Sequence, residues 1–122
     1  MRAQRTADHQ SPELATYLAD PQLTETVAML YRLEDSGWVQ VYDTPPTFDP
    51  KVIAVRLDAV PPTVVLEDCF DTSSVRLVKV ADRSTVPLRT DRVTRYLVRT
   101  TVANYDGRWL VNTDEPVRER PC

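Results

Sequence analysis

The sequence predicts an α+β domain in which N-terminal helices pack on a curved antiparallel sheet of about five or six strands. Helical periodicity is confined to the first third of the chain, and alternating apolar and polar residues fill most of the rest. The alternating segments are joined by short, turn-rich breaks instead of helical crossovers, which favours antiparallel neighbours. With 122 residues there is room for one core and not for two. An apolar fraction of 42% and a charged fraction of 27% place the chain in the ordinary globular range.

Residues 1–10 are polar, hold the only histidine, His9, and are expected to be disordered or the remnant of a helix. Residues 11–122 form the expected single domain. Ser11-Pro12-Glu13 reads as a helix start, with serine as cap, proline in the first turn and an early acid. That helix should stop before Asp20-Pro21, because a residue preceding proline avoids the α region. A second, longer helix follows, with Leu23, Val27, Leu30 and Tyr31 on one stripe and Gly37 as its left-handed end.

Beyond Gly37 the period becomes that of strands. Trp38–Tyr42 is a short strand, and Asp43-Thr44-Pro45-Pro46 is a turn. From Lys51 to Val60, Ile53, Val55, Leu57 and Ala59 alternate with Arg56 and Asp58, so a strand with one buried face is expected. Pro61-Pro62 breaks it. Thr63–Phe70 and Val75–Ala81 are the next two strands. Arg92–Asn104 is long, with Thr94, Tyr96, Val98, Thr100 and Val102 on one face. Asp106-Gly107 is a hairpin signal, and Arg108–Thr113 returns with Trp109 and Val111 on one side. The tail from Asp114 to Cys122 reads as loop.

Composition excludes several chemistries. A net charge of −3 lacks the basic excess of a nucleic-acid surface, so no nucleic-acid partner is expected. Two glycines against ten prolines cannot build a glycine-rich phosphate loop. Two cysteines and one histidine show no ligand spacing, so neither metal nor cofactor is expected. With His9 outside the expected core, a serine or cysteine nucleophile lacks a base, and no catalytic set is assigned. Glu67, Asp68 and Asp71 crowd one strand end, where burial could turn a carboxylate into a general base. Asp68, Asp71, Tyr96 and Trp109 are the candidate pocket residues, although solvated acids at a strand end and a core tyrosine are the favoured account of Asp68, Asp71 and Tyr96. Arg95 and Arg99 share a strand face, either an anion-binding stripe or the solvated side of a half-buried sheet.

Cys69 and Cys122 are the only cysteines. They are either two buried thiols or a disulfide, and the even count favours the disulfide and an oxidising compartment. The N-terminus is basic with no apolar segment behind it, and no run approaches the roughly 20 residues of a membrane span.

Four local patterns suggest a family. Pro12-Glu13-Leu14-Ala15 leads a long amphipathic helix ending at Gly37, and Asp68-Cys69-Phe70-Asp71-Thr72-Ser73 closes a strand. Tyr105-Asp106-Gly107-Arg108-Trp109-Leu110-Val111 forms a last hairpin, and Pro121-Cys122 ends the chain. In these the chain resembles the NTF2-like, cone-shaped α+β domains of actinobacterial secreted proteins and lipoproteins. The resemblance implies a cone-shaped (cystatin-like) sheet and pairing of Cys69 with Cys122. It implies a long first helix and an export signal as well; the helix is expected to be missing or reduced to residues 1–10, and the signal to be missing from the given sequence. If Met1 is an internal start, an extracytoplasmic domain is expected; taken literally, the chain is cytoplasmic. The expected role is non-enzymatic, in binding an unidentified small ligand or in protein assembly. The alternatives are a small isomerase or cyclase using a pocket carboxylate, and a module that forms a homodimer through its sheet.

Overall fold

The computed structural model describes residues 8–122. Of the segment 1–10, only Asp8, His9 and Gln10 lie among the described residues. α1 (Glu13–Tyr17) begins where its sequence predicts, with the Glu13 amide donating to the Ser11 hydroxyl at 3.3 Å. It lasts one turn. Leu18 then runs beside Val111 in a parallel bridge, and the Ala19 amide donates to the Val111 carbonyl at 2.8 Å.

The Asp20 carboxylate anchors α2 (Gln22–Ser36), accepting from the Thr24 amide at 3.0 Å and the Thr24 hydroxyl at 2.6 Å. Those bonds satisfy a donor that a helix start otherwise leaves open. Gly37 ends α2 at φ 73°, a conformation that side chains resist, and its amide donates back to the last turn. Leu23, Val27 and Leu30 form the expected stripe, packing with Leu14, Leu18, Leu33 and Val111. Tyr31, expected on that stripe, is exposed, and its ring meets His9 edge-on at 5.2 Å. His9 also bonds Glu34, so the segment before α1 is tied to the end of α2.

Seven strands follow among the described residues: β1 (Trp38–Tyr42), β2 (Lys51–Arg56), β3 (Thr63–Asp71), β4 (Val75–Lys79), β5 (Thr85–Val86), β6 (Arg95–Tyr105) and β7 (Arg108–Val117). They do not form one curved sheet. β1, β4 and β5 make a three-stranded sheet in that order, and β2, β3, β6 and β7 a four-stranded one. The expected fold, helices laid on the face of a single NTF2-like cone, is therefore wrong. Strand predominates, and the two helices lie beside β7 and β1.

The division has a local cause at Thr72. There the chain leaves β3 through a tight turn, with the Val75 amide donating to the Thr72 carbonyl at 3.1 Å. Thr72 is buried and pinned to the approach of β6: its amide reaches the Thr94 carbonyl at 2.6 Å and its hydroxyl the same oxygen at 3.0 Å. Arg92 donates to the Thr72 hydroxyl at 3.0 Å. β4 consequently pairs with β1, Val78 opposite Val39, and their buried side chains pack with Leu33 of α2 and Val41.

In the larger sheet Thr63–Asp71 runs antiparallel to Arg95–Ala103, and β6 continues into β7 through Asp106-Gly107. Both turn residues have positive φ, 54° and 89°, as a two-residue hairpin of this hand requires. β7 extends to Val117, past the loop expected from Asp114, and a register shift leaves Asn112 as the extra residue. Tyr96 is buried, edge-on to Phe70 at 6.2 Å, with the Arg118 guanidinium 5.3 Å from its ring centre. It is a core tyrosine.

The two cysteines form a disulfide, Cys69–Cys122, closing 53 residues. In the chain-entropy model a loop of that length stabilises by on the order of 4 kcal/mol. Leu30 has no exposed surface and joins α1, α2 and β7. Leu30→Ala is expected to cost about 2–5 kcal/mol in urea unfolding. A loss below about 1 kcal/mol would show that this cluster is not the core.

Candidate functional site

Of the twelve exposed large apolar side chains among the described residues, six lie on or beside β2: Phe48, Val52, Ile53, Val55, Leu57 and Val60. Among the described residues this strand is an edge of the larger sheet, paired with β3 alone. The sequence predicts that Ile53, Val55 and Leu57 are buried. The structure leaves them 48%, 57% and 63% exposed, with Val52 at 59%. Alternation along a strand creates a burial face only when another layer covers it, and no element packs on this margin among the described residues. A register shift between Val52 and Ala54 adds a bulge at Ile53, which turns its side chain off the regular pleat.

Register defines the composition of the two sides. Val52 stands opposite Leu66 and Val55 opposite Val64, and Phe48, just ahead of β2, stacks on Phe70 at 6.1 Å. Phe48, Val52 and Val55 therefore share the face of Val64, Leu66 and Phe70. Asp49 continues the same line along β3, its amide 3.3 Å from both Asp68 carboxylate oxygens.

The opposite face carries charge and the disulfide. Glu67, Cys69 and Asp71 stand opposite Arg99, Leu97 and Arg95. Arg99 donates to Glu67 through Nη2 at 2.8 Å and Nε at 3.2 Å, and Arg120 lies 3.7 Å from the same oxygen. Arg95 Nη2 lies 3.5 Å from Cys69 Sγ. The two arginines thus serve a carboxylate and a sulfur, which accounts for them without an anion.

Between these faces, at the start of β2, lies an open groove of about 370 Å³. Phe48, Ile53 and Leu97 supply its apolar lining, Asp49, Lys51, Glu67 and Asp68 its charge, and Cys69 and Thr47 complete it. Of the four pocket residues named from sequence, only Asp68 lines it. Asp71 ends β3 two residues beyond Cys69 and does not line the groove, Tyr96 is in the core, and Trp109 is 47% exposed beside the β6–β7 turn. Phe48 and Ile53 were not expected as lining, because turn-rich composition hid the first and alternation assigned the second to a core. No group of three or more potential metal ligands occurs among the described residues.

Hydrogen bonds from Ser73, its side chain and then its amide at 2.9 Å, hold the Asp71 carboxyl below the usual carboxylate range, and Arg95 adds to this. Burial, with the field of Tyr96 second, pushes the Tyr42 hydroxyl above its ordinary value, so it stays protonated through neutral pH.

No family model matches the chain, and no curated protein does. A solved structure, the intermembrane space region of the chloroplast protein ARC6, is similar to it at a TM-score of 0.58. The likeness covers 94% of this chain and 85% of that one at 17% identity. At that identity it shows a shared fold and nothing of function.

Because the folded value of Asp71 is depressed, its contribution is present in full above the ordinary carboxylate value. It is lost as pH falls through the lowered one. Ser73→Ala is expected to raise the Asp71 carboxyl toward 3.8 in an NMR titration. An unchanged midpoint would show that the Ser73 hydroxyl does not hold it.

Proposed function

We propose that this chain is a non-enzymatic interaction domain that docks another polypeptide along β2. The supporting observation is the set of exposed apolar side chains on β2, Val52, Ile53 and Val55, with Phe48 ahead of the strand and Leu57 in the turn after it, where one side of the β2 backbone is unpaired among the described residues. Edge strands in monomeric proteins are normally blunted, and an apolar one invites strand addition. Some blunting exists here: Pro50, Lys51 and Arg56 flank the row and a bulge interrupts it. These devices disfavour indiscriminate stacking but leave the apolar side chains in water. Leu57 and the fully exposed Val60 extend the same surface toward β3.

The disulfide supports a site of action outside a reducing cytoplasm, where such a bond persists. No helix among the described residues is long and apolar enough to cross a membrane. The isomerase or cyclase alternative draws less support. It calls for a carboxylate in a closed apolar cavity, whereas the groove is open and Asp71 lies outside it with its carboxyl held low.

The test is site-specific photo-crosslinking in the cells that make the protein. A photoreactive residue at Val55 is expected to give a discrete adduct that the same probe at Ala81, exposed beyond β4, does not. Val52→Lys in the same chain is expected to reduce that adduct at least fivefold while leaving thermal unfolding unchanged. No adduct, or equal adducts from both probes, would refute the docking surface. An adduct at twice the mass of the chain would identify the partner as a second copy.

A further inference from the structure

We propose that Cys69–Cys122 is a thiol–disulfide exchange site for a dithiol, attacked at Cys122, and that its opening releases the C-terminal tail from Glu67 and Cys69, two residues that line the groove. The exchange step stands apart from the docking role; only the consequence for the groove rests on that reading.

β7 ends at Val117, opposite Leu97. The Arg120 amide turns back to the Val117 carbonyl at 3.0 Å, and the Leu97 amide donates to the Arg120 carbonyl at 3.1 Å. Cys122 then reaches Cys69, whose ladder partner is that same Leu97. The tail therefore crosses β6 and fastens β7 to β3. The contacts made along the way, Arg120 on Glu67 and the disulfide on Cys69, fall on residues that line the groove.

The two sulfurs are not equivalent. Cys122 is exposed, and Cys69 is only partly so. Arg95 Nη2 sits 3.5 Å from the sulfur of Cys69. A cation beside a sulfur stabilises it as thiolate, and a better leaving thiolate departs faster. A dithiol such as a paired-cysteine protein can supply both electrons. Its first thiolate attacks Cys122 Sγ, and a new S–S bond forms while the bond to Cys69 breaks. Cys69 leaves as thiolate beside Arg95. The second thiol of the dithiol, deprotonated, then attacks the mixed disulfide, releasing Cys122 as thiolate and carrying the disulfide away on the reagent. Cys69 and Cys122 end reduced and the dithiol oxidised.

Opening should detach the tail without dissolving the sheet. Glu67 keeps its two bonds from Arg99, and the β3–β6 and β6–β7 ladders hold their own hydrogen bonds. The losses are the disulfide, the Arg120 contact and the carbonyl that the Leu97 amide uses.

The experiment treats the folded, oxidised protein with dithiothreitol, quenches with acid and reads the intact mass. Wild type is expected to open several-fold faster than Arg95→Gln, with Arg95→Lys recovering most of the rate. Glutathione in place of dithiothreitol should leave its adduct on Cys122 at early times. Equal rates in wild type and Arg95→Gln, or an adduct on Cys69, would overturn the assignment. Hydrogen exchange then tests the tail: in the reduced protein the Leu97 amide should lose protection while Thr101 and Ala103 keep theirs. Protection retained at Leu97, or lost throughout β6, would overturn tail release. The crosslink from Val55 in the oxidised protein reads docking separately, so either idea can fail alone.

Discussion

The eleven residues of β6 are paired along one side to β3 and along the other to β7, and the register of those two ladders determines where nearly everything else lies. Because Glu67 falls opposite Arg99, a carboxylate and a guanidinium meet on one face; because Phe70 falls opposite Tyr96, two aromatics meet on the other. A slip of one residue would exchange those faces along the whole strand. It would leave charge against the core and aromatics in water. Apolar–polar alternation thus selects the register, and the positive-φ turn at Asp106-Gly107 reinforces it from one end. The buried Thr72, held by Thr94 and Arg92, reinforces it from the other.

Once β6 is fixed, the two edges of its sheet have different fates. β7 is covered: Leu18 bridges to Val111, and the Arg108 guanidinium reaches the Ala15 carbonyl at 3.2 Å. β2 receives no such cover among the described residues, since the helices are spent on β7 and β1. The smaller sheet cannot substitute, because the Thr72 corner turns β4 toward β1 and away from β2. The exposed row along β2 therefore follows from topology. An apolar surface produced this way costs solubility, and it persists most simply where something else covers it part of the time.

The same topology explains what could be read in the sequence and what could not. Local signals were legible: the Asp20-Pro21 start and Gly37 end of α2, the β1, β3 and β4 segments, and the Asp106-Gly107 turn all appear where propensity and turn chemistry put them. The pairing of Cys69 with Cys122 was legible from count alone. Partnership between strands was not. Nothing local in Val75–Lys79 says that it pairs with Trp38–Tyr42 in a separate sheet, because that depends on a corner built by Thr72, Arg92 and Thr94 from distant parts of the chain. Ile53, Val55 and Leu57 misled for a related reason. Alternation reports that a strand has an apolar face, and only tertiary structure reports whether that face is covered. Of the groove's lining only Asp68 was named from the sequence, while Phe48 entered it by stacking on Phe70 from a turn whose composition gave no period to follow.

Charge and covalent linkage converge on the strip of β3 between Glu67 and Cys69, and the order of strengths there is informative. Glu67 is met closely by Arg99, at 2.8 Å, and loosely by Arg120, at 3.7 Å. The first is a two-donor contact between neighbouring strands, which resists salt and motion better than a single contact with a long exposed side chain. Besides the disulfide, the tail is held by Arg120 on Glu67, by the Arg120 carbonyl on the Leu97 amide and by Arg118 over the Tyr96 ring, contacts worth on the order of 1 kcal/mol each or less. The disulfide is the tail's covalent hold on β3. A segment held by one covalent bond and a few such contacts loosens when that bond opens, whereas the ladders of the sheet do not depend on it. This asymmetry, more than the presence of the bond, makes the edge of the groove responsive to thiol chemistry while the register of β3, β6 and β7 remains unaffected.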